Sequence, residues 1–114
     1  MNYKLGDICY TYEGTKRRTV VIVQDGLGVD VDMTIAKITS KNPRNMFDVQ
    51  VEFWEEAGLR KPSVVRCSKL STITPSQKML LFGKMHDSDL IKVHEGIKLY
   101  FDKGFESLLQ NTEQ

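Results

Sequence analysis

Short apolar segments separated by turn-forming residues follow one another along the first two thirds of the chain, which is typical of a β-rich protein. Residues 20–23 are four consecutive β-branched residues with Gly14 before them and Asp25-Gly26 after them, as expected of a strand covered on both faces. Residues 47–54 alternate apolar and polar side chains instead, which predicts one buried face and one acidic, solvated face. The predicted strands are residues 6–12, 19–24, 33–40, 47–54 and 63–68.

Polar segments rich in glycine, proline or aspartate are predicted to connect these strands. The predicted loops and turns are residues 13–18, 25–32, 41–45, 55–62 and 73–76. Residues 78–82 fit either a short strand or a helix. From residue 90 onward, apolar residues recur at steps of three and four, which predicts a helix capped by Asp87 or Ser88 and ended by Gly104.

The size and element pattern predict one mainly β domain. A chain of 114 residues with 40% hydrophobic content can form one compact core and is too short for two. Five or more short strands and a closing helix predict a small, curved antiparallel barrel over residues 1–104, with a tail over residues 105–114. No apolar segment approaches the roughly 20 residues of a membrane helix, and no secretion leader is evident, so a soluble, cytoplasmic protein is expected.

Local charge is uneven although the net charge is only +1. Because the whole molecule supplies no strong field, an anion site must come from clustered cations. Ten of the sixteen cations lie in three segments: Lys16, Arg17, Arg18, Lys37, Lys41, Arg44, Arg60, Lys61, Arg66 and Lys69. Cys9 and Cys67 lie in strand-like segments, and neither they nor His86 and His94 show metal-ligand spacing, which predicts buried thiols and no metal site.

Cations and hydroxyl side chains occur together at the ends of three predicted strands: residues 16–19, 39–40 and 63–68. Each segment also has an ordinary structural interpretation. Arg18 fits a solvated surface charge that protects an apolar strand from aggregation. Arg66 fits an ion pair with Glu52 or Asp48. Together the three segments predict a pocket without metal, suited to stabilising a phosphate while the 2′-hydroxyl of RNA attacks it.

Five short motifs, in order and in register, resemble the MazF/PemK family of toxins. The resemblance covers residues 3–101 and ends before the tail. The motifs are Gly6-Asp7-Ile8, Lys16-Arg17-Arg18, Ile38-Thr39-Ser40, the segment 61–67 and Gly83-Lys84. None of them is specific alone, and it is their common order that carries the resemblance.

The resemblance implies an SH3-like barrel with a C-terminal helix, a homodimer, and an endoribonuclease that needs no metal or other cofactor. Such a toxin is sequence-specific: it cleaves single-stranded RNA at short sequences, leaving a 2′,3′-cyclic phosphate and a 5′-hydroxyl. It also implies an antitoxin whose disordered tail lies across the dimer groove, in a complex that binds DNA.

Three residues match the catalytic positions of the family by this resemblance. Arg18 corresponds to the arginine of the Lys-x-Arg-Pro motif, which stabilises the scissile phosphate or donates a proton. Thr39 corresponds to the threonine that binds this phosphate, and Arg66 to a strand arginine with an acid or substrate-binding role. The RNA-binding residues implied are Lys16, Arg17, Ser40, Ser68 and Lys69.

Two positions depart from the family pattern. Thr19 stands where proline is usual, and Ser68 stands where the PemK-like branch has an aspartate that acts as general base. A serine cannot take up a proton at neutral pH as a carboxylate can. Either Arg18 and Thr39 carry most of the catalysis, or another group such as Glu13 assists, or activity is low. The rival hypothesis is a module of the same fold that binds nucleic acid or protein without cleaving.

Overall fold

The computed structural model describes residues 2–74 and 78–112, which form a curled antiparallel sheet and one long helix. The elements are β1 (Asp7–Glu13), β2 (Lys16–Gln24), β3 (Met33–Thr39), β4 (Asp48–Gln50), β5 (Val64–Ile73), β6 (Met79–Lys84) and α1 (Asp87–Thr112). Within these residues the sheet has six strands in the order β4-β5-β3-β2-β1-β6. The predicted mainly β fold with a C-terminal helix is confirmed, with a sheet that is curled but not closed.

Both faces of the sheet are covered, as the β-branched run in β2 predicts. Val21 packs with Val65 and Cys67 in a core beneath α1. Val20 and Ile22 point to the opposite face and join a second cluster of buried residues. Cys9 and Cys67 are free and buried, and burial raises the pKa of each thiol to about 11. Within the described residues, no helix combines the length and the hydropathy required to cross a bilayer.

The helix α1 packs closely on the sheet at Gly96. A Cβ atom at this position would lie 2.8 Å from the sulfur of Cys67 and 3.1 Å from a methyl group of Val49. The sulfur of Cys67 also lies 3.6 Å from the carbonyl oxygen of Val93. The absence of a side chain at residue 96 therefore determines how near the helix lies to β5.

Replacing Gly96 by alanine is expected to lower the free energy of unfolding by about 1–3 kcal/mol, because the added methyl group overpacks the core. Urea denaturation followed by circular dichroism measures the change. Gly104 is the matched control, since it lies in the same helix and an added Cβ there would meet no packing atom within 4 Å. Gly104→Ala should raise stability by up to about 1 kcal/mol through helix propensity. Equal effects at the two glycines would contradict the close approach.

The predicted loop over residues 13–18 is wrong, because β1 and β2 form a tight hairpin. Glu13 pairs with Lys16 in the antiparallel register, which leaves only Gly14 and Thr15 in the turn. Gly14 has a φ of 63°, a conformation favourable for glycine and typical of two-residue hairpins. The cations at residues 16–18 are therefore part of a strand and share its rigidity.

The predicted strand over residues 47–54 is mostly wrong, since only Asp48–Gln50 pair as β4. The backbone N–H groups of Glu52 and Phe53 donate instead to the two carboxylate oxygens of Asp89, at 3.0 and 2.9 Å. The chain turns away from the sheet there. The alternating pattern predicted a longer strand, but β4 ends early because the backbone after it hydrogen-bonds to Asp89 instead of to a neighbouring strand.

The predicted helix end at Gly104 is also wrong, because α1 runs on to residue 112. Glycine weakens a helix by about 1 kcal/mol but does not end it without a left-handed turn behind it. The strand in residues 63–68 is longer than predicted, and 78–82 proves to be strand β6. Of the predicted turn over 73–76, residues 75 and 76 lie outside the described residues. The division into domain and tail stays a prediction.

Candidate functional site

A surface pocket of about 330 Å³ lies where β2 and β3 meet the segment before β5. Its lining residues are Tyr10, Arg17, Arg18, Thr19, Ile38, Thr39, Ser40, Leu59, Arg60, Lys61, Ser63 and Phe82. Four of these residues are cations, four are serine or threonine, and Tyr10 carries a further hydroxyl group. None of these described residues is acidic. Such a lining suits an anion, because cations and hydroxyl donors surround the space and no carboxylate faces it.

Arg18 and Thr39 are brought together by the strand register. Thr19 of β2 pairs with Ile38 of β3, so the next position in each antiparallel strand places Arg18 beside Thr39. Both residues line the pocket. The Thr39 oxygen accepts a hydrogen bond from the backbone N–H of Lys41 at 3.2 Å, and its hydroxyl hydrogen remains available to donate.

A carboxylate just outside this pocket orients Arg18. Nε of Arg18 lies 3.4 Å from one carboxylate oxygen of Glu13, and Nζ of Lys37 lies 3.3 Å from the other. The hydrogen bond and charge of Lys37, followed by those of Arg18, lower the pKa of Glu13. Because the contact engages Nε, the terminal N–H donors of the guanidinium can still bind an anion.

Arg17 is held by aromatic side chains rather than by a carboxylate. Its guanidinium carbon lies 4.2 Å from the ring centroid of Tyr10. The ring of Tyr10 in turn stacks on Phe82, with centroids 4.1 Å apart and planes inclined by 17°. Phe82, Tyr10 and Arg17 are therefore stacked in this order, and the stacking holds the charge of Arg17 near the pocket.

Sequence reasoning counted Arg60 and Lys61 among the clustered cations but did not place them at the site. They reach the pocket because the turn before them is fixed to the body of the protein. Ala57 packs so closely on β6 that a Cβ atom at Gly83 would clash with the Ala57 carbonyl oxygen. The available signal was a pair of cations ending a turn just ahead of Pro62.

Asp89 is a further residue that could not be assigned from the sequence. It is fully buried in the first turn of α1, and its carboxylate accepts the backbone N–H groups at the start of the turn. Further along, the N–H of Leu59 donates to the carbonyl of Trp54 at 3.0 Å. These contacts make the turn a rigid support for the cations that follow it.

Four of the predicted site residues do not line the pocket: Lys16, Arg66, Ser68 and Lys69.

Arg66 lies on β5, where its pairing partners are Lys37 and Asp48. Burial raises the pKa of Asp48, but the hydrogen bonds and charge of Arg44 and the charge of Arg66 outweigh it, so this pKa is lowered. Arg66 is therefore an electrostatic neighbour of Asp48, one of the two partners considered from the sequence. Its Nε is buried with no hydrogen-bond partner among the described residues.

No group of three or more histidine, cysteine or acidic residues in the described part of the chain is arranged to hold a metal ion. The described lining of the pocket offers N–H and O–H donors, which suit an anion. Of the eight predicted site residues, Arg17, Arg18, Thr39 and Ser40 line this pocket, and the roles of all eight remain predictions.

The curled sheet with its C-terminal helix is the fold of MazF toxins. The structure of MazE-MazF from Deinococcus radiodurans superposes with a TM-score of 0.74 at 15% identity, covering 89% of this chain and 96% of that one. The Mycobacterium tuberculosis toxin MazF-mt6 gives 0.67 at 26% identity, covering 83% and 96%. An endoribonuclease in complex with its cognate antitoxin, from a mycobacterial species, gives 0.71 at 13% identity, covering 83% and 91%.

The sequence leads to the same assignment. Residues 6–101 match the family of PemK-like, MazF-like toxins of type II toxin-antitoxin systems. The chain belongs to this family, and the resemblance inferred from its five motifs is confirmed. No curated protein sequence matches the chain.

Proposed function

We propose that this protein is a metal-independent endoribonuclease that cleaves single-stranded RNA, acting as the toxin of its pair in the cytoplasm. Family membership and the MazF fold support the toxin assignment. The observation that carries the catalytic proposal is the pocket in which Arg18 and Thr39 lie together among four cations without a carboxylate. That lining suits a phosphodiester whose negative charge increases during reaction.

In the proposed reaction, the 2′-hydroxyl of the RNA attacks the adjacent phosphorus and loses its proton to a base. The bond from phosphorus to the 5′-oxygen then breaks, and this oxygen takes up a proton. The products are a 2′,3′-cyclic phosphate and a 5′-hydroxyl. Arg18 binds the phosphate oxygens as their charge grows, and Thr39 donates its hydroxyl hydrogen to one of them.

The direct test is incubation of the purified protein with single-stranded RNA in EDTA. We expect cleavage, with 5′-hydroxyl ends that polynucleotide kinase labels without prior dephosphorylation. The cyclic phosphate is identified by mass spectrometry of the upstream fragment. Absence of cleavage, or cleavage only after magnesium is added, would overturn the proposal.

Glu13 is expected to act as a tether for Arg18 and not as the general base. Its lowered pKa makes the carboxylate a weak base, and its charge competes with phosphate for Arg18 and Lys37. Replacing Glu13 by glutamine should therefore lower KM by about 2- to 5-fold and change kcat by less than about tenfold. Steady-state kinetics on a fluorogenic RNA measure both constants. A fall in kcat of about 100-fold or more would instead assign proton transfer to Glu13.

We further propose an antitoxin and a second copy of this chain as partners. The similar structures include MazE-MazF complexes and an endoribonuclease in complex with its cognate antitoxin. An acidic, partly disordered antitoxin segment suits the cationic pocket, and the resulting complex is the species proposed to bind DNA.

For a homodimer, α1 offers an exposed apolar stripe at Phe101, Phe105 and Leu108. Light scattering should give twice the monomer mass, and a monomeric mass at micromolar concentration would exclude the dimer.

A second candidate function is a module that binds nucleic acid without cutting it. One observation favours this rival: among its described lining residues, the pocket has no carboxylate or histidine to accept a proton. The rival predicts a gel shift with single-stranded RNA that weakens steeply as salt rises, and no cleavage in the EDTA assay.

A further inference from the structure

A second groove, of about 490 Å³, adjoins the cationic pocket. The two share Ser40 and Ser63 as lining residues, so they lie side by side. Ser63 is itself buried, and its hydroxyl donates to the carbonyl of Lys61 at 2.8 Å. The boundary between the two spaces is therefore held in place by a hydrogen bond.

The second groove contains an aromatic side chain in a fixed position. Trp54 lines it, and its ring also packs against the main hydrophobic core. The turn that carries Trp54 is the one bound by Asp89, and its far end supplies Leu59, Arg60 and Lys61 to the first pocket. The same turn thus places the indole of Trp54 in the second groove and the cations Arg60 and Lys61 in the cationic pocket.

The remaining lining of the second groove is mixed in charge and rich in hydrogen-bonding groups. Lys41 and Lys92 are its cations, and Nζ of Lys92 lies 3.5 Å from a carboxylate oxygen of Glu52. Asn42 and Gln50 add amide groups. A phosphate alone would be repelled by the carboxylate, but a nucleobase offers a flat face for the indole and an edge of donors and acceptors for these side chains.

We propose that this groove binds the nucleotide next to the scissile phosphate of single-stranded RNA, with its base stacked on Trp54. The inference rests on the proposed function, because the scissile phosphate is placed in the adjoining pocket. Lys41 follows Ser40 directly and meets the phosphate that links the two nucleotides. A base can stack on a protein side chain only when it is unpaired, so this subsite selects single strands.

The test uses Trp54 as its own reporter, because it is the only tryptophan in the chain. The probe is a mixed-sequence RNA decanucleotide in which every 2′-hydroxyl is methylated, so that it cannot be cleaved. We expect saturable quenching of the tryptophan fluorescence. Binding without any change in fluorescence would overturn the proposal, and so would a change with an acidic peptide but not with the RNA, which would assign the groove to a protein partner.

Variants separate stacking from folding. By fluorescence anisotropy of labelled probe, Trp54→Leu should bind about 5- to 100-fold more weakly, whereas Trp54→Phe should stay close to the parent. Lys41→Gln should weaken binding and make it less dependent on salt, and Lys98→Gln on the exposed face of α1 is the matched control. Thermal unfolding shows whether each variant is folded. If the Leu and Phe variants bind alike, the stacking is wrong.

The outcomes for the subsite and for catalysis are distinguishable. If RNA is cut in EDTA but the Trp54 variants bind and cut as the parent does, the subsite fails and the proposed function stands. If the probe quenches Trp54 and no RNA is cut, base stacking on Trp54 stands, its position next to a scissile phosphate fails with the proposed function, and the protein is the non-cleaving module.

Discussion

Alanine in place of Arg18 is expected to lower kcat/KM for RNA cleavage by about 100- to 1000-fold, which is the usual effect of removing one donor from a developing oxyanion. The guanidinium lies beside Thr39 in the pocket and is oriented by Glu13. Its side chain is 36% exposed, so its removal should hardly change stability. Initial rates on a fluorogenic RNA in EDTA measure the effect.

Two further variants make the Arg18 result specific. Arg18→Lys keeps the charge but loses the planar fork, so it should recover only part of the lost rate. Arg17→Ala removes an adjacent cation that lies over Tyr10, and it should cost less than about tenfold. If Arg18→Ala and Arg17→Ala lower the rate equally, the pocket attracts RNA by charge alone and Arg18 has no separate catalytic role.

Alanine in place of Asp89 is expected to lower the free energy of unfolding by about 2–5 kcal/mol. It leaves the N–H groups of Glu52 and Phe53 without their acceptors, and each unsatisfied buried group costs about 1–3 kcal/mol. The same change should raise KM for RNA, because the turn that carries Arg60 and Lys61 loses its attachment. Urea denaturation and steady-state kinetics measure the two effects.

Asp87 provides the control for Asp89. It is also acidic and lies in the same first turn of α1, but it is exposed. Alanine at residue 87 should cost no more than about 1 kcal/mol, the usual size of a helix-capping or helix-dipole contribution. A similar loss at both positions would mean that Asp89 acts only through the charge of the helix terminus.

Local patterns predicted most of the elements, and four of the eight predicted site residues line the pocket. The β-branched run of β2 and the periodic apolar residues of α1 report burial directly, so their existence could be read from the chain. The adjacency of Arg18 and Thr39 follows once β2 and β3 pair as antiparallel neighbours. The early end of β4 could not be read, because the acceptor for its backbone lies at Asp89, 36 and 37 residues away.

The sequence by itself determined the class of fold, the family and two central residues of the candidate site. These depend on side-chain periodicity and on short motifs, which are local properties. Only the tertiary structure decided that Arg60 and Lys61 line the cationic pocket, that Trp54 lines the groove beside it, and that Arg66 lines neither. The reason is physical: the path of an irregular turn is determined by distant contacts of its backbone, here the hydrogen bonds to Asp89 and the close packing on Gly83, and no local pattern encodes them.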